Sequence, residues 1–265
     1  MRVDVLNCAV MNNLLIRPQL CAVVLLCHTD AGLVLVDSGL GTADLAEPER
    51  RLGLIRFLQG ADRDARHTAL SQVTAAGHAP EDVTHIVLTH LDNDHVGGIA
   101  DFPGAVVHTT ADEYAAAVTD PDWRDKVRYR PAQWDHEPDF RTHEGRGDVW
   151  KHDLTGHEVL PGITLIPMPG HSRGHAVVAV DTGERSMIIH SGDAVFDASS
   201  YAKASPSGRP LRKLPSMRAF ESVVGRDHRA IRENHRTLAG LNNQPGVTVI
   251  PAHDKRILED LQGRT

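Results

Sequence analysis

The most constraining feature of this chain is a short run of metal-binding residue types within positions 89–98. Six consecutive positions in it hold two histidines and two aspartates: His90, Asp92, Asp94 and His95. Carboxylates so close together repel each other, so gathering them is costly unless a cation neutralises them. The run therefore predicts half of a metal site.

The residues before this run predict a buried strand, because positions 83–89 are β-branched and apolar. Alternate side chains of an extended segment point the same way, so we expect His90, Asp92 and Asp94 to face one cavity. His95 would enter from the turn that follows. The alternative is a polar loop that caps a helix, with Asp94 or Asn93 at the N-cap.

Three further candidate ligands follow later in the chain, each after an apolar stretch that predicts a strand. They are His171 in Pro-Gly-His-Ser-Arg-Gly-His, Asp193 in His-Ser-Gly-Asp and His253 in Pro-Ala-His-Asp. Taken singly, such a histidine is more often a hydrogen-bonded structural residue, and Asp193 is equally compatible with a turn. Four such motifs, each after a predicted strand, favour a site that is formed by the loops of a rigid sheet.

These motifs resemble those of the metallo-β-lactamase superfamily, and the resemblance covers nearly the whole chain. The family's usual His-x-His-x-Asp-His motif corresponds to residues 90–95, and its Pro-Gly-His-Thr-x-Gly-His motif corresponds to residues 169–175. The resemblance implies an αββα sandwich that holds two divalent metal ions. It also implies that His175 supports the site and that Asp37, after an early strand, orients it.

The resemblance further implies how seven metal ligands divide between the two ions. One ion would take His90, Asp92, His171 and Asp193. The other would take Asp94, His95, Asp193 and His253, so that Asp193 bridges the pair. Zinc is the first expectation for both ions.

Asp92 departs from the family pattern, because it stands where the second histidine usually lies. The change replaces a neutral nitrogen ligand by an anionic oxygen. Carboxylate-rich sites suit iron or manganese better, although zinc also accepts aspartate, so iron and manganese stay open. Diiron members of the superfamily carry glutamate here. Aspartate is one methylene shorter, and if it does not reach the metal, one site is weak or empty.

The predicted reaction is hydrolysis of an ester, lactone or thioester bond of a small molecule. Two cations would lower the pKa of a bound water and polarise a carbonyl, so that hydroxide attacks at neutral pH. Asp94 or Asp193 would steer the proton to the leaving group. The acyl-homoserine lactonases of the superfamily resemble this chain, but they often have a tyrosine where Phe196 stands. Tyr201 is either its substitute or an ordinary packing residue.

Two other reaction classes stay open. A diiron centre would support an oxidase or oxygenase on the same fold, and the lack of a glycine-rich dinucleotide motif argues only against a flavoprotein. A phosphodiesterase is the third choice, and the formal net charge of -7 weakens it.

Alternating strand and helix patterns predict an α+β fold, with two mixed sheets stacked face to face and helices outside. We expect a single domain over residues 1–265. The predicted strands are 3–7, 22–26, 33–36, 83–89, 105–108, 163–166, 176–180, 187–189 and 247–250. The predicted helices are 45–58, 69–76, 111–118, 226–241 and 255–261.

An aromatic-rich segment at about 120–158 shows little periodicity, and it contains all the tryptophans of the chain: Trp123, Trp134 and Trp150. Rigid aromatic side chains on an irregular segment suit a substrate pocket or lid. They equally suit a segment whose aromatic side chains pack it against the domain. A homodimer contact is the third interpretation.

The amino-acid composition limits the classes of molecule that this chain is expected to bind. The chain has a negative formal net charge of -7 and no dense basic run, which argues against nucleic acid. The longest apolar run, 20–27, is too short to span a bilayer, and no secretory leader is visible. We therefore expect a cytoplasmic protein that acts on a small-molecule substrate without a membrane partner.

Overall fold

The computed structural model describes residues 1–13, 16–17, 19–183 and 186–263. Two six-stranded mixed sheets form its centre. Helices lie against them, as the predicted α+β sandwich requires, so the predicted fold class is confirmed.

The first sheet contains the first six strands in chain order. They are β1 (Arg2–Met11), β2 (Leu20–Thr29), β3 (Gly32–Val36), β4 (Val83–Val87), β5 (Val106–Thr110) and β6 (Phe140–His143). β1 pairs antiparallel with β2 and β2 with β3, whereas β3 to β6 run parallel to one another. Parallel strands end at the same edge of a sheet, which places the segments after β3 and β4 side by side.

The second sheet has the order β12-β11-β10-β9-β8-β7. Its strands are β7 (Asp148–Val149), β8 (Thr155–Leu160), β9 (Ile163–Pro167), β10 (Ala176–Gly183), β11 (Ser186–His190) and β12 (Val247–Ile250). β12 is parallel to β11, and the other neighbours are antiparallel. β11 and β12 therefore end at one edge.

The described α-helices connect and cover the sheets. They are α1 (Thr42–Ala46), α2 (Pro48–Arg51), α3 (Ile55–Gln59), α4 (Ala69–Ala75), α5 (Asn93–Val96), α6 (Ala111–Tyr114), α7 (Trp123–Arg128), α8 (Pro215–Val224), α9 (His228–Asn242) and α10 (Lys255–Gln262). Within the described ranges, no helix combines the length and apolarity that a membrane crossing requires.

β2 shows how the core is built, because it is buried on both faces. Val23 and Leu25 pack into the cluster shared with the second sheet. Val24 and Leu26 point the other way and pack among residues of the first sheet and its helices. Strand alternation thus joins two apolar layers, and each such side chain stabilises the fold by about 1.5–3 kcal/mol.

Several predicted elements need correction. The predicted helix at 45–58 is divided among α1, α2 and α3, because Pro48 begins α2 and Gly53 has a left-handed φ of 61°. The predicted helix at 111–118 is α-helical only as far as Tyr114 and continues as a π-helical turn. The segment at 120–158 contains α7, β6 and β7, so it has more regular structure than its sequence predicts.

Candidate metal centre

The predicted ligands lie just beyond the ends of strands in both sheets. His90 follows β4, His171 follows β9, Asp193 follows β11 and His253 follows β12. The loops after these strands converge at one edge of the sandwich. All four side chains are buried there, with at most 3% of each residue exposed.

The run after β4 does not stay extended as the sequence predicts. Asp92 is the N-cap of α5, and Asp94 and His95 lie on the first turn of that helix. Asp94 is therefore not aligned with His90 and Asp92, and the predicted alternation is wrong at this position. The helix of the alternative interpretation is present, but its N-cap is Asp92 rather than Asp94 or Asn93, and the Asp92 side chain makes no capping bond.

Four side chains form what we call the first ligand group: His90, Asp92, His171 and Asp193. The Oδ2 atom of Asp92 lies 3.2 Å from His90 Nε2 and 3.1 Å from His171 Nε2. Asp193 Oδ2 is 3.1 Å from the same His171 nitrogen and 3.8 Å from His90 Nε2. One donor atom from each residue lies within 4.8 Å of the others, so the donors surround a common point.

Asp94, His95 and His253 form the second ligand group. The Nε2 atoms of the two histidines are 3.3 Å apart, and Asp94 Oδ2 is 3.6 Å from His253 Nε2. The other carboxylate oxygen of Asp193, Oδ1, lies 3.3 Å from His95 Nε2 and 3.0 Å from His253 Nε2. Asp193 thus stands between the two groups with one oxygen toward each.

Hydrogen bonds behind the ligands fix their orientation. His95 donates from Nδ1 to Asp37 Oδ2 over 2.8 Å, and His253 donates from Nδ1 to the Cys21 carbonyl over 2.7 Å. Each imidazole then directs Nε2 toward the centre. His175 accepts a hydrogen bond at Nε2 from the Asp193 backbone N–H over 3.0 Å, so it supports a ligand rather than joining either group.

The electrostatics of the site favour a cation. Burial alone would raise the pKa of Asp193, but His253 and His95 outweigh it and hold that pKa well below its usual range. Asp193 and Asp37 likewise outweigh burial and raise the pKa of His95 well above its usual value. Burial lowers the pKa of His171 to about 3, which keeps this imidazole neutral and able to coordinate.

The donor set fits divalent metal ions. Asp193 Oδ1 is buried and has no hydrogen-bond donor, which is costly unless a cation approaches it. Histidine nitrogen and aspartate oxygen are both zinc ligands, and iron and manganese accept the same mixture. The residues fit best in the second ligand group, since an arginine already contacts the first.

That arginine, Arg128 at the end of α7, was missed by the sequence reasoning. Its Nε and Nη2 donate to Asp92 Oδ1 and Oδ2, each over 2.6 Å. Burial would raise the pKa of Asp92, but the Arg128 charge and then His90 hold it well below its usual range. Arg128 and Asp92 are 36 positions apart, and no local pattern connects them.

Glu113 on α6 is a second residue that sequence reasoning missed. It is fully buried and accepts hydrogen bonds from both ligand loops. The Leu91 N–H and the Tyr129 hydroxyl donate to Oε1 over 2.9 and 2.8 Å. The Ser172 hydroxyl and the Gly174 N–H donate to Oε2 over 2.6 and 3.1 Å. One carboxylate therefore links the loop after β4 to the loop after β9.

A cavity of about 520 Å³ opens onto both ligand groups. Asp92, Asp94 and Asp193 border it, and so do Phe196 and Phe220. The Phe196 ring lies beside two ligand histidines, with centroid distances of 5.7 Å to His171 and 5.1 Å to His253. The cavity is therefore polar at the centre and apolar around it.

The tryptophans of the 120–158 segment lie in different surroundings. Trp123 is 72% exposed and borders the cavity. Trp134 packs against the core of the first sheet, whereas Trp150 packs against the core between the sheets. The pocket interpretation thus suits Trp123, and the packing interpretation suits the other two tryptophans.

Comparison with known proteins agrees with this architecture. Residues 16–253 match the model of the metallo-beta-lactamase superfamily. A probable metallo-hydrolase of Mycobacterium tuberculosis is 40% identical over 263 residues, covering 96% of this chain and 80% of the relative. An N-acyl homoserine lactonase of Bacillus cereus is 26% identical over 251 residues, covering 91% of this chain and 88% of the lactonase.

A solved structure shows the same fold. A mutant of Bacillus thuringiensis AiiA, with N-decanoyl-L-homoserine bound at its active site, superposes with a TM-score of 0.71 at 17% identity. The match covers 97% of this chain and 95% of that one. Fold and site thus define a metallo-hydrolase. The chain belongs to the metallo-beta-lactamase superfamily, and its motifs resemble those of the lactonase-like branch.

Proposed function

We propose that this metallo-hydrolase opens an ester, lactone or thioester bond of a small molecule. We further propose that its site holds two divalent ions, with zinc as the first candidate. The observation that carries the proposal is Asp193, which borders a cavity and directs one oxygen toward each ligand group. Ions held there would polarise a carbonyl and supply hydroxide at neutral pH. The lactonase relatives support an ester-type bond.

The ligands that we propose are the predicted ones. The first ion would be held by His90, Asp92, His171 and Asp193, and the second by Asp94, His95, Asp193 and His253. Among these residues, Asp94 is best placed to deliver a proton to a leaving group. Its side chain is 11% exposed, whereas both oxygens of Asp193 face ligand histidines and its side chain is 4% exposed.

The cavity walls support a substrate with an apolar part. Phe220, Val223 and Val127 border the cavity, and the last two are strongly exposed, so an acyl chain leaving the centre would meet apolar surface. Phe196 has no hydroxyl to offer a substrate oxygen. Tyr201 does not replace it, because its hydroxyl is buried and donates to the Val249 carbonyl over 2.9 Å.

The other reaction classes receive less support. The diiron oxidase or oxygenase was suggested by the Asp92 carboxylate, and Arg128 already pairs with both of its oxygens. A phosphodiesterase needs cationic groups at the cavity. Three of the described arginines border the cavity, but Asp92 offsets the charge of Arg128, and Asp122 and Asp125 offset that of Arg226, which leaves Arg124.

Metal analysis combined with substrate screening tests the proposal. Gently purified protein is expected to carry transition metal, and it should hydrolyse at least one member of a panel of lactones, esters and thioesters. A chelator should abolish the activity, and the metal should restore it. Phosphodiesters serve as the contrasting substrates. Less than about one equivalent of metal per chain would contradict the two-ion centre, and iron without any ester hydrolysis would favour the redox class.

A further inference from the structure

The Arg128 guanidinium occupies the approach to the first ligand group. Besides its two bonds to Asp92, it contacts the Nε2 atom of His171 through Nη2. Its Nη1 donates to the carbonyls of His171 and Val224, over 2.9 and 3.1 Å. The guanidinium is therefore held by five acceptor atoms from three segments of the chain, and it is not a loosely placed surface group.

The atoms that Arg128 contacts are the atoms that a metal ion would need. An ion in the first ligand group requires a lone pair from Asp92 Oδ2 and one from His171 Nε2, which lie 3.1 Å apart. The guanidinium directs N–H groups toward both atoms. A donor N–H and a metal ion cannot use the same histidine lone pair, and two cations at this distance repel each other.

The second ligand group has no such competitor. Among the described residues, no arginine or lysine donates to Asp94, His95 or His253. The Nδ1 atoms of the two histidines donate to Asp37 and to the Cys21 carbonyl, which leaves their Nε2 atoms directed at Asp193. Among the described residues, a competing cation is therefore present at the first ligand group and absent from the second.

Asp92 explains why the competition arises in this chain. A histidine at this position would be neutral and would offer no carboxylate to a guanidinium, whereas aspartate allows the two-pronged ion pair that the structure shows. Arg128 also has a route away from the site, because its side chain is 18% exposed and borders the cavity.

We propose that Arg128 competes with a metal ion for the first ligand group, so that the two ions bind stepwise. The second ligand group fills first and tightly. The first ligand group fills weakly, and only when the guanidinium moves from Asp92 and His171 into the cavity. This inference rests on the two-ion centre proposed above, and it makes Arg128 a positioning residue that sets the order of metal loading.

Metal titration of the whole chain tests this inference without an activity assay. Metal-free protein is titrated with Zn²⁺ against a chromogenic chelator, and with Co²⁺ followed by its visible absorption. The wild type is expected to bind two equivalents whose affinities differ by at least about tenfold. In Arg128→Met the weaker equivalent should tighten by about tenfold or more, while the tighter one stays unchanged.

Arg124→Met is the matched control. Arg124 lies one turn earlier on α7 and also borders the cavity, but its guanidinium rests over the Trp123 ring at 5.2 Å and contacts no ligand. Its removal should leave both affinities unchanged. Arg128→Lys is the second variant, and it covers the case in which the methionine variant does not fold. Lysine keeps the positive charge but lacks the two-pronged guanidinium, so the affinity for the weaker metal equivalent should rise by a smaller factor.

Several results would overturn the inference. Two equivalents of equal affinity in the wild type, unchanged in the Arg128 variants, would show that the guanidinium does not compete. A weaker equivalent that loosens further in Arg128→Met would show that Arg128 supports Asp92 as a ligand. Protein that binds no Zn²⁺ or Co²⁺ at all would overturn the two-ion centre itself, and this result is distinguishable from the other two.

Discussion

Glu113 illustrates, at the scale of one residue, how a side chain outside the metal centre can set its geometry. Its two oxygens accept hydrogen bonds from Leu91 and Tyr129 on one side and from Ser172 and Gly174 on the other. Leu91 lies between the proposed ligands His90 and Asp92, and Ser172 follows His171. Glu113 thus ties two ligand loops that come from different sheets.

Replacing Glu113 by alanine should destabilise the protein by about 2–4 kcal/mol, because buried donors lose their acceptor. Urea unfolding of the metal-free protein measures this directly. Glu113→Gln keeps the size and one acceptor oxygen, so its effect should be smaller. Glu81→Ala, at an exposed glutamate, is the control and should change stability by less than about 0.5 kcal/mol. A Glu113→Ala variant as stable as this control would contradict the assigned role.

At the scale of elements, a row of histidines crosses the parallel strands β4, β5 and β6. His85 Nδ1 lies 3.0 Å from His108 Nε2, and His108 Nδ1 lies 3.1 Å from His143 Nε2. Burial lowers the pKa of His108 to about 3, and the neighbouring histidines and Arg141 act in the same direction. Burial also lowers the pKa values of His85 and His143. The row is therefore neutral at neutral pH.

This row predicts a loss of stability in mild acid. The unfolded chain protonates these histidines near pH 6.5, but the folded protein resists protonation until about pH 3 at His108. The unfolded state therefore binds more protons in this window. Stability is complete above about pH 6.5 and falls as the pH decreases toward 3, by up to about 1.4 kcal/mol per pH unit for His108.

His108→Gln should flatten the pH dependence of unfolding between about pH 6.5 and 4.5. The free energy of unfolding of metal-free protein is measured by denaturant titration at each pH, and the slopes are compared rather than the absolute values. His152→Asn is the control, because His152 is exposed and asparagine tolerates its left-handed φ of 59°. Equal slopes in wild type and His108→Gln would contradict the prediction.

Elements with strong local patterns were predictable, and elements that depend on distant partners were not. β12 was predicted with its observed bounds, because four apolar and β-branched residues precede Pro251. β6 was missed, since Phe140–His143 is a partly exposed edge strand without an apolar pattern. The ligand types could be predicted from their motifs. The Arg128 and Glu113 contacts could not, because folding alone brings them to the ligands.

At the scale of the whole molecule, the candidate metal centre joins the two halves of the sandwich. The loop after β4 contributes His90, Asp92, Asp94 and His95 from the first sheet. The second sheet contributes His171, Asp193 and His253. Unfolding would separate these groups, so ions that bind all of them bind only the folded state. Metal binding is therefore expected to stabilise the whole molecule rather than one loop.

Removing the ions should accordingly lower the unfolding temperature of the entire chain in one transition. An ion present at about 1,000 times its Kd adds about 4.1 kcal/mol to the folded state. For a chain of this size each kcal/mol shifts Tm by about 2–4 °C, which gives a decrease of about 8–16 °C. Calorimetry of metal-loaded and chelator-dialysed protein measures the difference, and adding Zn²⁺ back is the control. If the chelator leaves the melting curve unchanged, the free energy of metal binding does not contribute to the free energy of unfolding. That result would show that the ligands of the two sheets do not share bound ions.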